Sequence, residues 1–279
     1  MKSIQSRDNP FYKEMARLSG STRQRNQSGQ TLLDGAHLLA AYLDSGNRPQ
    51  HILLNSAALR DDEIAGLLQR AIDIPVTQLD DKLFAGLSEL KTPTGILALI
   101  DIPQPTQGER RGDRRTDGAI PSAVPNEQNR FALLLEDIQD PGNLGSMLRS
   151  AAAAGCEEVF LSPGCADAWS PKVLRAAMGG HFALRIYEQQ DLPGVAKALS
   201  GQLLAASLHA SLSLYDCDLH GNVAFMVGNE GAGLSESMLQ LATQQITIPM
   251  HNNVESLNAA AATAICLFEA VRQRHAAGR

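Results

Sequence analysis

A chain of 279 residues, 44% apolar and 19% charged, is long enough for two domains of ordinary size and apolar enough to give each a core, which excludes disorder throughout. Its formal net charge of −6 excludes a protein that is basic over its whole surface, so any nucleic-acid contact has to come from a local patch. The cysteines Cys156, Cys165, Cys217 and Cys266 form no C-x-x-C pair and have no histidine at metal-ligand spacing, so they read as reduced cytosolic thiols with no metal site.

The amino terminus carries charges and turn residues where a secretory signal needs an apolar core, and no apolar run approaches a membrane span; a cytoplasmic protein is expected. Within residues 1–30 the basic residues Lys2, Arg7, Lys13, Arg17, Arg23 and Arg25 are opposed only by Asp8 and Glu14. Ser3 to Arg25 reads as a basic helical segment ending in a Ser/Gly/Arg/Gln-rich loop, a pattern that fits a solvated amphipathic helix as well as an RNA-facing one. Thr31 to Leu43 is apolar at helical spacing. A strand at His51 to Asn55, a helix at Asp61 to Ala71, a strand at Pro75 to Leu79, a helix at Asp80 to Leu87 and a strand at Gly95 to Ile102 complete a small α/β domain over residues 1–102. Pro103 to Asn129 then holds four prolines, three glycines, four arginines and four acidic residues without one aromatic, the composition of a flexible linker. Its arginines Arg110, Arg111, Arg114 and Arg115 suit solubility or a phosphate backbone.

Residues 130–279 form a second α/β unit, with strands near Phe131 to Leu135, Val159 to Ser162, Leu184 to Tyr187, Leu203 to Ser207, Val223 to Val227 and Gln245 to Ile248. The alternation predicts a mainly parallel sheet covered on both faces. The last helix, Ser256 to about His275, is rich in alanine, which lets another backbone approach closely, that of the sheet or of a second subunit.

Three stretches carry polar residues at strand-to-loop junctions. In Phe131 to Ala154, FALLLEDIQDPGNLGSMLRSAAAA, a buried strand meets the turn formers Asp140-Pro141-Gly142-Asn143, and a helix starting near Asn143 brings Asn143 and Arg149 toward the carboxyl end of a parallel sheet, where ligands of open α/β sheets bind. Taken alone this fits a structural turn, and its glycines lack the G-x-G-x-x-G spacing of a dinucleotide site. In Phe225 to Leu234, FMVGNEGAGL, Gly228, Gly231 and Gly233 free backbone groups to approach a ligand, and Glu230 is hard to explain as packing. In Ile246 to Asn258, ITIPMHNNVESLN, Ser256 or Glu255 is placed to cap the last helix, which leaves Asn258 unexplained.

Together DPGNLGSMLR, VGNEGAGLS and IPM…ESLN, in this order and spacing, closely resemble the SpoU (TrmH-like) family of RNA ribose 2′-O-methyltransferases, part of the SPOUT class with a trefoil-knotted carboxyl-terminal domain. SPKVLRAAMGGHF at Ser170 to Phe182 is similar to the subgroup that modifies ribosomal RNA. LLDGAHLL and KTPTGILAL resemble the small substrate-binding domain, similar to kink-turn-binding ribosomal proteins, that many members carry. The resemblance implies methyl transfer from S-adenosylmethionine to a ribose 2′-hydroxyl, with the donor held bent by knotted loops, mainly through backbone at Gly228, Ile248 and Leu257 and neighbours such as Met250. It places Asn143, Arg149, Glu230, Ser256 and Asn258 around the reacting groups, and Arg149 is often given the leading part in activating the hydroxyl. A guanidinium stays protonated, so stabilising a developing alkoxide or gripping the adjacent phosphate is the sounder assignment. For Asn143 and Asn258, loop-holding hydrogen bonds and substrate contact both fit.

The resemblance further implies a homodimer with its active site at the subunit interface, and RNA as partner, ribosomal rather than transfer RNA. The sequence departs from the family at His251-Asn252-Asn253, where many relatives have a glycine, and at Ala260, where serine is common. Asparagine tolerates left-handed backbone angles, so the loop is expected to survive. The alternatives are a tRNA 2′-O-methyltransferase and an RNA-binding protein that kept the fold without catalysis. A nucleotide-dependent oxidoreductase is disfavoured by the missing glycine fingerprint.

Overall fold

The structure, a computed structural model, describes residues 2–90, 93–104, 130–252 and 255–277. From residue 105 on, the expected linker lies outside the described residues, as does Asn253. The chain divides into two compact units, one built from Met1–Pro103 with Asp167–Phe182, the other from the described residues of Gln104–Ala166 and Ala183–Arg279.

The first unit contains β1 (Lys2–Ile4), α1 (Pro10–Gly20), α2 (Thr22–Ser28), β2 (Gln30–Asp34), α3 (Ala36–Asp44), β3 (His51–Leu54), α4 (Asp62–Arg70), β4 (Val76–Leu79), α5 (Asp81–Ala85) and β5 (Ile96–Asp101). Its sheet is mixed, in the order β1-β4-β3-β5-β2, with β5 antiparallel to both of its neighbours. Three expectations need correction, the first being the helix expected from Ser3, which begins only at Pro10, with Ser3 and Ile4 in β1. Residues 31–34 belong to a strand, because Leu32 and Leu33 are buried in a ladder against β5, and Gly35 at φ +110° ends it before α3 begins. A short apolar run does not by itself choose between helix and strand periodicity. The stretch expected to be a loop after α1 is a second helix: the Ser21 side chain caps α2 by accepting from the Gln24 N–H, and Gly29 at φ +66° closes it.

Arg25 on α2 leaves the basic patch altogether. Its guanidinium, 4% exposed, pairs with Asp167 at 2.6 Å and donates to the carbonyls of Leu18 and Ser19. The segment Asp167–Phe182, which carries a helix at Pro171–Ala177, is fastened further by a Thr31 hydroxyl that donates to the Trp169 carbonyl at 2.7 Å and by an edge-on contact between Tyr42 and Phe182. A buried charge pair of this kind stands only because additional hydrogen bonds satisfy the guanidinium.

The second unit contains β6 (Phe131–Leu135), α6 (Pro141–Ala153), β7 (Glu158–Leu161), β8 (Arg185–Tyr187), α8 (Leu192–Ala198), β9 (Gln202–Ala206), β10 (Leu212–Ser213), β11 (Val223–Val227), α9 (Glu236–Leu241), β12 (Gln244–Thr247) and α10 (Ala259–Ala277); α7 is the helix of the Asp167–Phe182 segment. Its strands run parallel in the order β10-β12-β9-β11-β6-β7-β8. Every residue of β6 and β11 is buried, as continuous apolar strands covered on both faces must be. Phe131, Phe160 and Phe225 are among the largest fully buried side chains, each contributing roughly 1.5–3 kcal/mol. The alanine-rich α10 packs on α6, with a smaller contact to strand β11 of the sheet. The two-residue β10, which periodicity did not announce, lies at the sheet edge. This order puts the carboxyl ends of β6 and β11 side by side, with β12 one strand beyond β9.

Candidate active site

The turn after β6 is fixed by Asp140, whose side chain accepts from the Asn143 N–H at 2.7 Å and caps α6, with Pro141 supplying a preset first-turn angle. The helix therefore starts two residues before the expected position, and Asn143 lies in its first turn. Arg149, farther along α6, is exposed and makes no hydrogen bond or ion pair with any described residue.

Asn143 joins the three stretches. Its amide nitrogen donates to Glu230 Oε1 at 3.0 Å and its amide oxygen accepts from Asn258 Nδ2 at 2.8 Å. Asn258 Oδ1 in turn accepts from the N–H groups of Ala260 and Ala261. The direction of this line is dictated at both ends. Helix N–H groups only donate and an ionised carboxylate only accepts, so each amide between them has one orientation that satisfies every partner. Asn258, rather than Ser256 or Glu255, is thus the cap of α10. Ser256 is exposed and makes no hydrogen bond with a described residue, because the helix starts three positions beyond it.

Glu230 is held ionised. Burial pushes its carboxyl up, but the Asn143 amide and the main-chain N–H groups of Glu230, Asp140 and Gln139 outweigh that and leave it below the ordinary carboxylate range. Such a group orients partners well and is a poor proton acceptor near neutrality.

The glycine-rich loop folds against itself. A Cβ on Gly228 would lie 2.2 Å from the Gly233 carbonyl carbon, so only glycine allows this return. Asn229 stitches the loop, accepting from the N–H groups of Gly231 and Ala232 while its amide donates to the Asp137 carbonyl at 2.9 Å. After β12, Ile248 and Met250 are half-buried and Leu257 is 37% exposed. The main-chain groups of Gly228, Ile248, Met250 and Leu257 make no hydrogen bond with a described residue. Asn252 adopts φ +61°, the left-handed conformation that its position in the departing loop required.

Direct hydrogen bonds therefore link Asn143, Glu230 and Asn258, whereas Arg149, Ser256, Gly228, Ile248, Met250 and Leu257 stand outside that line. Asn229, Glu136 and Ser235 were not singled out from the sequence, and Asp140 only as a turn former. Asp140 had a signal in the Asp-Pro pair before an apolar helical run; the others reveal themselves only when the loop is folded. Among the described residues no cluster of His, Cys, Asp and Glu has metal-holding geometry, and no helix is long and apolar enough to cross a membrane.

Residues 130–268 match the SpoU rRNA methylase family, and residues 9–98 match the MRM3-like substrate binding domain. An uncharacterized tRNA/rRNA methyltransferase of Synechocystis is 33% identical over 99% of this chain and 95% of its own. The chain belongs to the SpoU family. Another SpoU-type relative, the 23S rRNA (guanosine(2553)-2'-O)-methyltransferase RlmP of Bacillus subtilis, is 29% identical over 96% of this chain and 98% of its own. The crystal structure of the SpoU methyltransferase AviRb from Streptomyces viridochromogenes, in complex with the cofactor AdoMet, superposes with a TM-score of 0.78 at 24% identity, covering 96% of this chain and all of that one; at this identity the likeness speaks to fold alone. The mixed α/β architecture with a mainly parallel second sheet is that of SpoU methyltransferases.

Proposed function

We propose that this protein transfers a methyl group from S-adenosylmethionine to a ribose 2′-hydroxyl of ribosomal RNA, with the first unit gripping RNA and the second performing the transfer. The observation that carries the reading is the hydrogen-bonded line Asn258, Asn143, Glu230, in which three family motifs meet at the carboxyl end of a parallel sheet. The RlmP relative supports ribosomal RNA as substrate.

The uncommitted main-chain groups at Gly228, Ile248, Met250 and Leu257 suit a donor recognised largely through backbone, so the residues present fit S-adenosylmethionine. When bound, it supplies an electrophilic sulfonium methyl group. The chain has then to align the ribose oxygen, exclude water and stabilise negative charge as that oxygen attacks. Arg149, the unpaired guanidinium, stabilises the developing alkoxide or holds the neighbouring phosphate. Asn143 and Asn258 spend their amides on one another and on Glu230, so they act by holding the site's segments together, and Glu230 orients Asn143. Ser256, exposed next to Leu257, is left for substrate contact.

The trefoil knot, the homodimer and the cytoplasmic setting belong to the same reading. An exposed Phe268 on α10 and Leu257 before it offer apolar surface to a second copy, and four unpaired thiols suit a reducing compartment. The test is methyl incorporation from tritiated S-adenosylmethionine into ribosomal and transfer RNA, with 2′-O-methyl marks mapped in cells with and without the gene. Incorporation into ribosomal RNA at one lost mark is expected. Incorporation confined to transfer RNA would move the substrate, and donor binding without incorporation into any RNA would make the protein a non-catalytic RNA binder.

A further inference from the structure

Glu136 follows the last residue of β6 and closes the loop at residues 228–234 from both ends. Its main-chain N–H donates to the carbonyl of Val227, the last residue of β11, at 2.9 Å. Its carboxylate accepts from Ser235, one oxygen taking the main-chain N–H and the other the hydroxyl, each at 2.7 Å. Ser235 is also the cap of α9, accepting from the Met238 N–H. Met238 is fully buried and Leu234 nearly so, both in the core cluster that lies under β6, β9 and β11. One residue thus ties the exit of β11 to the entry of α9, and the span it closes contains Gly228 and Glu230.

This glutamate is half-buried, but its hydrogen bonds to Ser235 lie at the exposed surface, so its carboxylate has water as an alternative partner. Both oxygens are nevertheless taken by adjacent donors of a single residue, a bidentate arrangement that fixes direction as well as distance. What the contact determines is where the loop's far end stands relative to its near end, and with it the path of the main chain at Gly228. The amide of Asn229, donating to the Asp137 carbonyl, ties the middle of the loop to the residue beside Glu136.

We infer that Glu136 is a positioning residue of the methyl-transfer reaction, setting the shape of the donor-binding loop through Ser235 without touching donor or substrate. The inference rests on the proposed placement of the donor against the main chain at Gly228. It is tested on the full chain with Glu136→Ala, Glu136→Gln and Ser235→Ala, measuring the S-adenosylmethionine Kd by calorimetry, kcat and donor KM on RNA, and Tm. In Glu136→Ala the donor Kd and KM rise about tenfold while kcat stays within about threefold, as expected for loss of one charge-assisted contact. Glu136→Gln recovers most of the affinity, since its amide oxygen still accepts the Ser235 N–H and its NH2 donates to the hydroxyl oxygen.

A merely structural role lowers Tm in Glu136→Ala and leaves the KM-against-kcat split unmoved, and that result overturns the inference. Should Glu136→Ala fail to fold, Ser235→Ala reads the same quantity, and donor affinity equal to the unmodified protein's overturns it there. Gly228→Ala separates the two levels, because its methyl group collides with the Gly233 backbone. Unchanged donor affinity in Gly228→Ala removes the site assignment and the inference with it; weakened binding in Gly228→Ala but not in folded Glu136→Ala removes the positioning role alone.

Discussion

The two ends of the second unit's sheet use their charges in opposite ways. At the amino end Glu158, 4% exposed, pairs with Arg130, whose Nε donates to it at 2.6 Å, and with Arg185 at 3.6 Å, while the Tyr187 hydroxyl lies at 3.5 Å. At the carboxyl end the polar groups of Asn143, Glu230 and Asn258 are joined by exposed hydrogen bonds, and farther along α6 the guanidinium of Arg149 has no described partner. Charges that neutralise one another in the interior hold a fold together. An exposed cation left unmatched by any described residue is free to meet the negative charge of a ligand.

That contrast predicts opposite phenotypes. Glu158→Ala is expected to cost about 3 kcal/mol of stability, the low end for breaking a buried pair, because the partly exposed Arg130 retains a route to water. Denaturant unfolding checks this, and the surviving folded fraction should keep its donor affinity. Arg149→Ala should leave the unfolding midpoint and the donor Kd unchanged while lowering kcat by roughly 10²–10³, the scale for removing one charge-stabilising donor. Donor affinity that fell as far as the rate would contradict the role given to Arg149. Arg149→Lys should recover little, since an ammonium lacks the planar fork.

The same contrast marks what was legible beforehand. Strands β6 and β11 announced themselves as unbroken apolar runs, and the motifs beyond them and beyond β12 named Asn143, Glu230 and Asn258. The direction of the amide line was not legible, because it depends on partners more than eighty residues apart. Arg25 counted as a surface cation by its neighbours in sequence, and only the fold supplies Asp167, far along the chain, to bury it. Glu136 reads as a polar residue ending a strand until Ser235 is brought to it. Residues 31–34 misled for a local reason: a run of four with only Leu32 and Leu33 apolar fits either period, and Gly35 decides which one holds.

The amide line gives a smaller and directional effect. Asn143→Asp removes the donor to Glu230 and sets two carboxylates against each other, with an expected cost of about 2 kcal/mol in site order. Asn258→Asp keeps the oxygen that caps α10 and puts an acceptor where the donor to Asn143 stood, for about 1 kcal/mol. Hydrogen exchange at the start of α10 separates them, since Asn258→Asp should leave its protection nearly intact. Equal effects of the two substitutions would mean the line has no fixed direction.

The smallest effect is that of pH on Glu230. Its carboxyl is lowered in the folded protein by the Asn143 amide and nearby main-chain N–H groups, which outweigh burial. A lowered carboxyl contributes fully above its unfolded value and loses that contribution as pH falls through its folded value. Donor affinity should therefore be flat from neutrality down to the ordinary carboxylate range and weaken only below it. Glu230→Gln abolishes this acid limb; its amide oxygen can still accept from Asn143, but one of the two acceptor oxygens shared by Asn143 and the nearby main-chain N–H groups becomes a donor. An acid limb that survives in Glu230→Gln belongs to another group, and the ordering role then passes to the exposed end of the sheet as a whole rather than to this carboxylate.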